Sequence, residues 1–179
     1  MPFQIQEIDP KFYQSQTRKA TMIVMAIFIV IGLILANLFP MWLGDYFESQ
    51  LMLNFAGAFT GLMITAFLVK HFFSDKPWMK EAMYGWRLKR SLMHVTNRQR
   101  HILEAVEEGD QMAMKILRFY HLGLEHMHKL ESNSTSLVDM IVEKRNLEKK
   151  MTELGLDLNQ TEFDAEWVEA YKEGAKDED

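Results

Sequence analysis

ATMIVMAIFIVIGLILANLFPMWL (residues 20–43) and LMLNFAGAFTGLMITAFLV (residues 51–69) are the two stretches that decide the fold of this chain. Neither run contains a charged residue. At a helical rise of about 1.5 Å per residue, their 24 and 19 residues would span roughly 36 and roughly 28 Å, close to the hydrocarbon core of a bilayer, about 30 Å thick. The pair therefore predicts a two-helix transmembrane hairpin over residues 20–69.

The distribution of Lys and Arg around the hairpin predicts its orientation. The turn between the two runs holds Asp45 and Glu48 and no basic residue, whereas basic residues flank both outer ends. Because cytoplasmic flanks are enriched in Lys and Arg, we expect both termini in the cytoplasm and the turn outside. The first run is longer than the core of a signal peptide, so we expect a retained, multi-pass protein of the inner (cytoplasmic) membrane.

Small residues recur at four-residue spacing within both runs. Gly57 and Gly61, extended by Thr65, form such a series in the second run, and Gly32 with Ala36 repeats the spacing in the first. Helices in lipid associate through close backbone approach at small residues. We expect these positions to seat the two helices against each other within one chain or, as the alternative, to form a contact between copies of the chain.

Charge divides the remainder of the 179-residue chain. Residues 70–101 carry eight basic and two acidic side chains, whereas residues 102–179 carry nine basic and nineteen acidic side chains. Blocks of opposite sign indicate different surroundings, and the absence of cysteine is consistent with a cytoplasmic domain. We therefore expect an N-terminal cytoplasmic segment (1–19), the hairpin (20–69), a basic juxtamembrane helix (70–90), a cytoplasmic helical bundle (91–173) and an acidic tail that is mobile (174–179).

The juxtamembrane segment has the composition of a helix that lies on a membrane surface. Its apolar residues, which begin with Trp78 and Met79, fall on one helical face with basic residues beside them. Such helices bind anionic headgroups, and each basic residue near the surface contributes about 1 kcal/mol. The alternative is that the apolar face packs on the bundle. We expect a bilayer with anionic headgroups as a partner, contacted by Lys80, Trp86, Arg87, Lys89 and Arg90.

The spacing of apolar residues after the juxtamembrane segment predicts helices and no sheet. Stripes of near-heptad spacing run from Leu88 to Val106, from Ala113 to Met127 and from Leu137 to Leu154. They are separated at Gly109-Asp110 and at the polar turn 131–134, and the third ends at Gly155. Short turns between such stripes indicate an antiparallel bundle or a coiled-coil hairpin. The predicted fold class is all-α: a two-helix transmembrane hairpin followed by a cytoplasmic antiparallel helical bundle.

Two capping pairs refine these boundaries. Ser136 with Asp139 has the spacing of a capping box and is expected to begin the third bundle helix. Thr161 with Asp164 is expected to begin a last short helix. That helix would carry the aromatic residues near the end of the chain.

Two motifs connect the chain to a known family. They are YGWRLKR at residues 84–90 and LRFYHLGL at residues 117–124, and the pair Pro77-Trp78 accompanies them. Together they resemble a proteobacterial family of two-span inner-membrane proteins that is known only as a domain of unknown function. The resemblance covers nearly the whole chain. It implies the two-span architecture but no activity, substrate or catalytic residue.

The best candidate for a chemical site is a set of three residues on one helical face. His121, Glu125 and His128 follow one another at spacings of four and three, and such side chains can ligate zinc or iron. His101 and Glu104 on the preceding helix could complete four ligands. A di-metal bundle requires a second Glu-x-x-His pair, which is missing. We therefore expect polar residues at the border of the bundle, and no cofactor, with a membrane-anchored metal-binding bundle as the alternative.

The remaining functional classes have weaker support. There is no glycine-rich phosphate loop, no serine in a nucleophile elbow and no HExxH motif, so we expect no enzyme. The absence of ionisable residues in the spans disfavours conduction, although a small pore of oligomerised hairpins is a further alternative. We expect no nucleic acid as a partner, because the basic segment borders the membrane.

The leading interpretation is a non-enzymatic integral inner-membrane protein. Its cytoplasmic helical domain would mediate protein–protein interaction or form a homo-oligomer. An accessory or assembly subunit of a membrane complex would have these properties.

Overall fold

The computed structural model describes residues 2–47, 49–132 and 138–172, apart from the side chains of Val138 and Asp139. The chain forms two compact units. We call Gln14–Met83 the hairpin unit, and Met1–Tyr13 together with Tyr84–Asp179 the helical unit.

The hairpin unit is dominated by two long apolar helices. Helix α1 covers Pro10–Leu43, and α2 covers Gln50–Leu68 and continues into a π-helical turn over Val69–Phe73. Pro10–Leu43 and Gln50–Phe73 are both long and apolar enough to cross a membrane. Only 6% and 22% of the residues in their most apolar windows are buried, whereas the core helix of a soluble protein is mostly buried.

Helix α1 begins ten residues before the apolar run that predicted it. Pro10 occupies its first position, where a missing N–H costs nothing, and the carboxylate of Asp9 accepts a hydrogen bond from the N–H of Phe12 at 2.8 Å. The apolar run therefore predicted the membrane-spanning part of α1, whereas the start of the helix is set by the capping residue Asp9 and by Pro10.

The helical unit is built around one central helix. After a 3-10 turn at Pro77–Met79 come α3 (Lys80–Thr96), α4 (Gln99–Glu107), α5 (Gln111–Glu131), α6 (Val138–Glu153) and a C-terminal 3-10 helix (Ala165–Tyr171). Helix α5 packs against both α4 and α6 and is buried on most of its circumference. The antiparallel helical arrangement and the all-α class predicted from the sequence are confirmed.

The N-terminal residues join the helical unit through a minimal sheet. Strand β1 (Phe3–Gln4) pairs antiparallel with β2 (Glu162–Phe163), and Phe3 lies opposite Phe163. Phe163 is 1% exposed, and its ring stacks on Phe119 with the centroids 4.7 Å apart. The expectation of no sheet therefore differs from the structure, which has one pair of two-residue strands among the described residues. Strands of two residues are too short to give an alternating pattern.

Two helix boundaries also differ from expectation. The stripe from Leu88 to Val106 is split between α3 and α4 at Asn97-Arg98, where Thr and Asn residues, which compete with helical hydrogen bonding, end α3. The last helix is capped by Asp164, whose carboxylate accepts from the N–H of Glu166 at 3.1 Å, and not by Thr161. The capping pair Ser136 and Asp139, Glu48 and the tail 174–179 lie outside the residues, or the side chains, that the structure describes.

Candidate functional site

The small residues of the hairpin unit lie at the contact between α1 and α2. A Cβ atom added to Gly61 would lie 2.8 Å from the Cα of Gly32, and one added to Gly57 would lie 2.8 Å from the Cα of Ala36. Thr65, which is 3% exposed, donates its hydroxyl to the carbonyl of Gly61 at 2.8 Å. The structure therefore brings Gly32, Ala36, Gly57 and Gly61 together within one chain, and Thr65 is buried one turn beyond Gly61.

A polar contact accompanies this close approach. When the amide of Asn54 is oriented to satisfy both of its groups, its nitrogen donates to the carbonyl oxygen of Ala36 on the other helix at 3.0 Å. Asn37 instead donates to the carbonyl of Leu33 in its own helix at 2.7 Å. Such a bond between helices satisfies an amide where water is scarce.

The structure gives two of the three predicted metal ligands, His121 and Glu125, partners on α6. The Nε2 atom of His121 lies 2.8 Å from Oε1 of Glu143, and Glu125 accepts from Nζ of Lys144 at 2.5 Å. Two of the three residues are therefore paired with side chains of α6. Among the residues that the structure describes, no group of three or more His, Cys, Asp or Glu side chains is arranged to hold a metal ion.

His101 and Glu104, proposed as additional ligands, contact each other on α4. The Nδ1 atom of His101 lies 3.3 Å from Oε2 of Glu104, as their spacing of three allows. Arg100 lies 3.9 Å from the same carboxylate, so this pair belongs to an exposed charge network on α4.

An arginine that sequence reasoning missed anchors the same α5–α6 contact. Arg118 donates from Nε to the carbonyl of Leu158 at 2.6 Å and from Nη1 to Glu148 at 2.7 Å. Its side chain is only 8% exposed. A signal was present, because Arg118, His121 and Glu125 share one face of α5 at spacings of three and four.

Electrostatics make His121 a neutral partner in this contact. Burial lowers the pKa of His121. The hydrogen bond and the negative charge of Glu143 oppose this lowering, and the positive charge of Arg118 adds to it. Because a carboxylate can only accept, the Nε2 atom carries the proton that bonds Glu143. The buried Nδ1 atom has no hydrogen-bond partner among the described residues.

The predicted membrane-surface residues lie on the exposed side of α3. On the opposite side of α3, Tyr84, Leu88 and Leu92 are buried in the helical unit. These buried residues are not those of the apolar face predicted from the sequence, which begins with Trp78 and Met79. Trp86 is 52% exposed, and the guanidinium of Arg90 lies 5.2 Å from the centroid of its ring. Lys89 pairs with Glu131 at 2.6 Å. Exposed residues on this side are Lys80, Trp86, Arg87, Lys89 and Arg90.

The two motifs quoted from the sequence contribute contacts within the helical unit. In the first, the hydroxyl of Tyr84 accepts from the N–H of Gln6 at 3.1 Å, and Gly85 leaves space for the ring of Tyr13. In the second, Arg118 and His121 make the contacts with α6 described above. Tyr84, Arg118 and His121 therefore help to hold the helical unit together, whereas the basic residues of the first motif are exposed.

Comparison with known proteins identifies a family. No curated protein and no solved structure matches the chain. The family model described as "Protein of unknown function (DUF3087)" matches residues 3–168. The match includes the hairpin, the β1–β2 pair and the polar contact between α5 and α6. The chain therefore belongs to this family of proteins of unknown function.

Proposed function

We propose that this protein is a non-enzymatic anchor and interaction subunit of the inner membrane. The hairpin unit would hold it in the bilayer, and the helical unit would bind another copy of the chain or another subunit of a membrane complex. The observation that carries the proposal is the exposure of large apolar side chains on the hairpin unit, such as Met41 at 79%, Trp42 at 71% and Phe55 at 70%. Apolar surface of this extent is stable in lipid and unstable in water.

Charge supports an orientation with both termini in the cytoplasm. The described part of the turn between α1 and α2 carries Asp45, whereas Arg18, Lys19 and Lys70 flank the outer ends of the apolar runs. Lys and Arg are retained on the cytoplasmic side during insertion. The turn would accordingly face the outside.

The exposed side of α3 supports contact with anionic headgroups. Arg87 and Arg90 are exposed, and Trp86 presents an amphipathic ring beside them. Tryptophan favours the interface between headgroups and hydrocarbon, and each nearby basic residue contributes about 1 kcal/mol at an anionic surface. Lys89 contributes less because it is paired with Glu131.

Helix α6 supplies the surface that we propose for interaction with a protein. Its core side carries Leu147 and Met151, which are 2% and 0% exposed. Ile141 and Val142, by contrast, are 42% and 64% exposed and are adjacent in the sequence. Exposed apolar neighbours of this kind are typical of the centre of an interface.

The test is the mass of the particle extracted from native membranes in polymer nanodiscs. The proposal predicts a protein mass above that of one 21.0 kDa chain. The double variant Ile141→Glu with Val142→Glu should reduce the mass to one chain. Met112→Glu, which adds one negative charge at another apolar side chain of 40% exposure, should leave it unchanged. A single-chain mass for the wild type would contradict the proposal.

A further inference from the structure

The helical unit contains an open cavity that none of the features above uses. It has a volume of about 530 Å³ and lies between the turn from α3 to α4 and the end of the C-terminal 3-10 helix. Small-molecule sites usually have volumes of about 300–1,000 Å³. The cavity is lined by Thr96, Asn97, Arg98, Gln99, Arg100, His101, Tyr171 and Lys172.

The lining is cationic in a chain whose net charge is −5. Three permanent cations, Arg98, Arg100 and Lys172, contribute to its wall. Two carboxylates next to the cavity form ion pairs with these cations. Glu169 lies 3.2 Å from Arg98 and also pairs with Lys172, and Glu104 lies 3.9 Å from Arg100.

The carboxylates of these acid–base pairs are open to solvent, so a bound anion can compete with them for the cations. The side chains of Glu104 and Glu169 are 57% and 49% exposed, and exposed ion pairs add little to stability. The pKa of Glu169 is lowered, first by its hydrogen bond with Lys172 and then by the surrounding positive charges, Arg98 among them. A negative group at this place is therefore favoured by its surroundings.

One hydrogen-bond donor beside the cavity lacks a protein acceptor among the described residues. The buried Nε atom of Arg98 has no partner among the described residues. Arg98 is also the N-cap residue of α4, and a guanidinium group has no acceptor with which to cap the first turn. The first N–H groups of a helix need acceptors from outside the helix, and their dipoles favour an anion.

We propose that this cavity binds the phosphate group of a small phosphorylated molecule. Guanidinium groups match the geometry of phosphate oxygens, and first-turn N–H groups offer further donors. Polar side chains of Thr96, Asn97 and Gln99 would contact the organic part, for which the volume leaves room. Glu169 would act as a competing internal anion. The site goes beyond the anchoring role and does not depend on it.

The experiment measures binding to the full chain in detergent micelles by titration calorimetry. The probe is glycerol 3-phosphate, with glycerol as its uncharged control. We expect saturable binding of the phosphate ester at one site per chain and none of glycerol. A second arm titrates nanodiscs with and without phosphatidic acid, so that a free phosphate ester is distinguished from a lipid headgroup.

Three variants locate the site. Arg100→Gln removes an exposed cation from the wall and should weaken binding about tenfold, as expected for the loss of one charge-assisted contact. Arg145→Gln removes an equivalent charge from exposed α6 and should change nothing. Glu169→Gln removes the competing carboxylate and should tighten binding severalfold.

Binding in either arm, with the expected effects of the three variants, supports the site. The arm that shows binding tells whether the phosphate comes from a free ester or from a lipid headgroup. The proposal is overturned if neither arm shows binding, or if Arg100→Gln and Arg145→Gln reduce it equally. Weaker binding of the phosphate ester by Glu169→Gln would also overturn the proposal, because removal of a competing carboxylate should leave the cations more available to the phosphate. Circular dichroism of each variant shows that the fold is retained.

Discussion

His121 and Glu143 join two helices through a hydrogen bond of 2.8 Å between Nε2 and Oε1, and the histidine side chain is 0% exposed. The Arg118–Glu148 pair lies further along the same contact, in the order that antiparallel helices require. The contact between α5 and α6 therefore contains buried polar groups, and part of its stability depends on their ionisation states.

This arrangement predicts a dependence of stability on pH. Burial lowers the pKa of His121 below its ordinary value of about 6.5, despite the opposing effect of Glu143. As the pH falls below about 6.5, the unfolded chain binds a proton that the folded chain resists, so the free energy of unfolding decreases. The stabilisation is complete above that pH. Urea unfolding in micelles between about pH 7.5 and 5.5, followed by circular dichroism, measures the slope.

The variant His121→Gln should flatten this slope. His126, whose pKa is lowered first by burial and then by Lys129, contributes with the same sign, so His126→Gln should flatten it further. A free energy of unfolding that increases as the wild-type protein is acidified over this range would contradict the assignment of both residues.

The buried pair of Arg118 and Glu148 predicts a large effect of removing one charge. Glu148→Gln leaves the guanidinium of Arg118, with its side chain 8% exposed, without a counter-charge. We expect a loss of about 2–4 kcal/mol in the free energy of unfolding. The matched control is Glu107→Gln, which breaks the exposed pair of Glu107 and Lys150 and should cost about 0–1 kcal/mol. Equal effects of the two variants would show that the pair on α5 and α6 is not buried in solution.

The hairpin contact predicts a steric effect at Gly61. A side chain here would meet the backbone of Gly32 at 2.8 Å, and backbone cannot rotate away as a side chain can. Gly61→Leu should destabilise the hairpin by about 1–3 kcal/mol in titrations with a denaturing detergent. Ala56→Leu adds similar bulk at an exposed position of the same helix and should have little effect. A larger destabilisation by Ala56→Leu than by Gly61→Leu would contradict the packing of α1 on α2 described here.

The apolar runs and the helical stripes could be predicted from the sequence because each depends on local spacing. Two uncharged runs of 24 and 19 residues permit few alternatives, and the stripes locate α5 and α6 to within a few residues. The contribution of Phe3 to the core could not be predicted. It results from strand pairing with Phe163, across nearly the whole length of the chain, and no local pattern marks it.

The polar contacts and the cavity were difficult to predict for the same reason. The spacing of His121 and Glu125 placed them correctly on one face, but their partners Glu143 and Lys144 could be found only once α6 was placed against α5. The wall of the cavity combines residues 96–101 with residues 171–172, which no motif connects. Sequence spacing predicts which side chains share a helix face. Tertiary packing decides which side chains of other helices they pair with.

The central claim, that α1 and α2 cross a membrane as a hairpin, is tested most directly by cysteine labelling. The chain contains no cysteine, so one introduced thiol reports one position. Tyr46→Cys places it in the turn at a site 80% exposed, and Lys149→Cys places it on the exposed side of α6. In intact cells whose outer membrane has been made permeable, an impermeant maleimide should label Tyr46→Cys at once and Lys149→Cys only after the inner membrane is opened. Labelling of both positions from the same side would contradict the account.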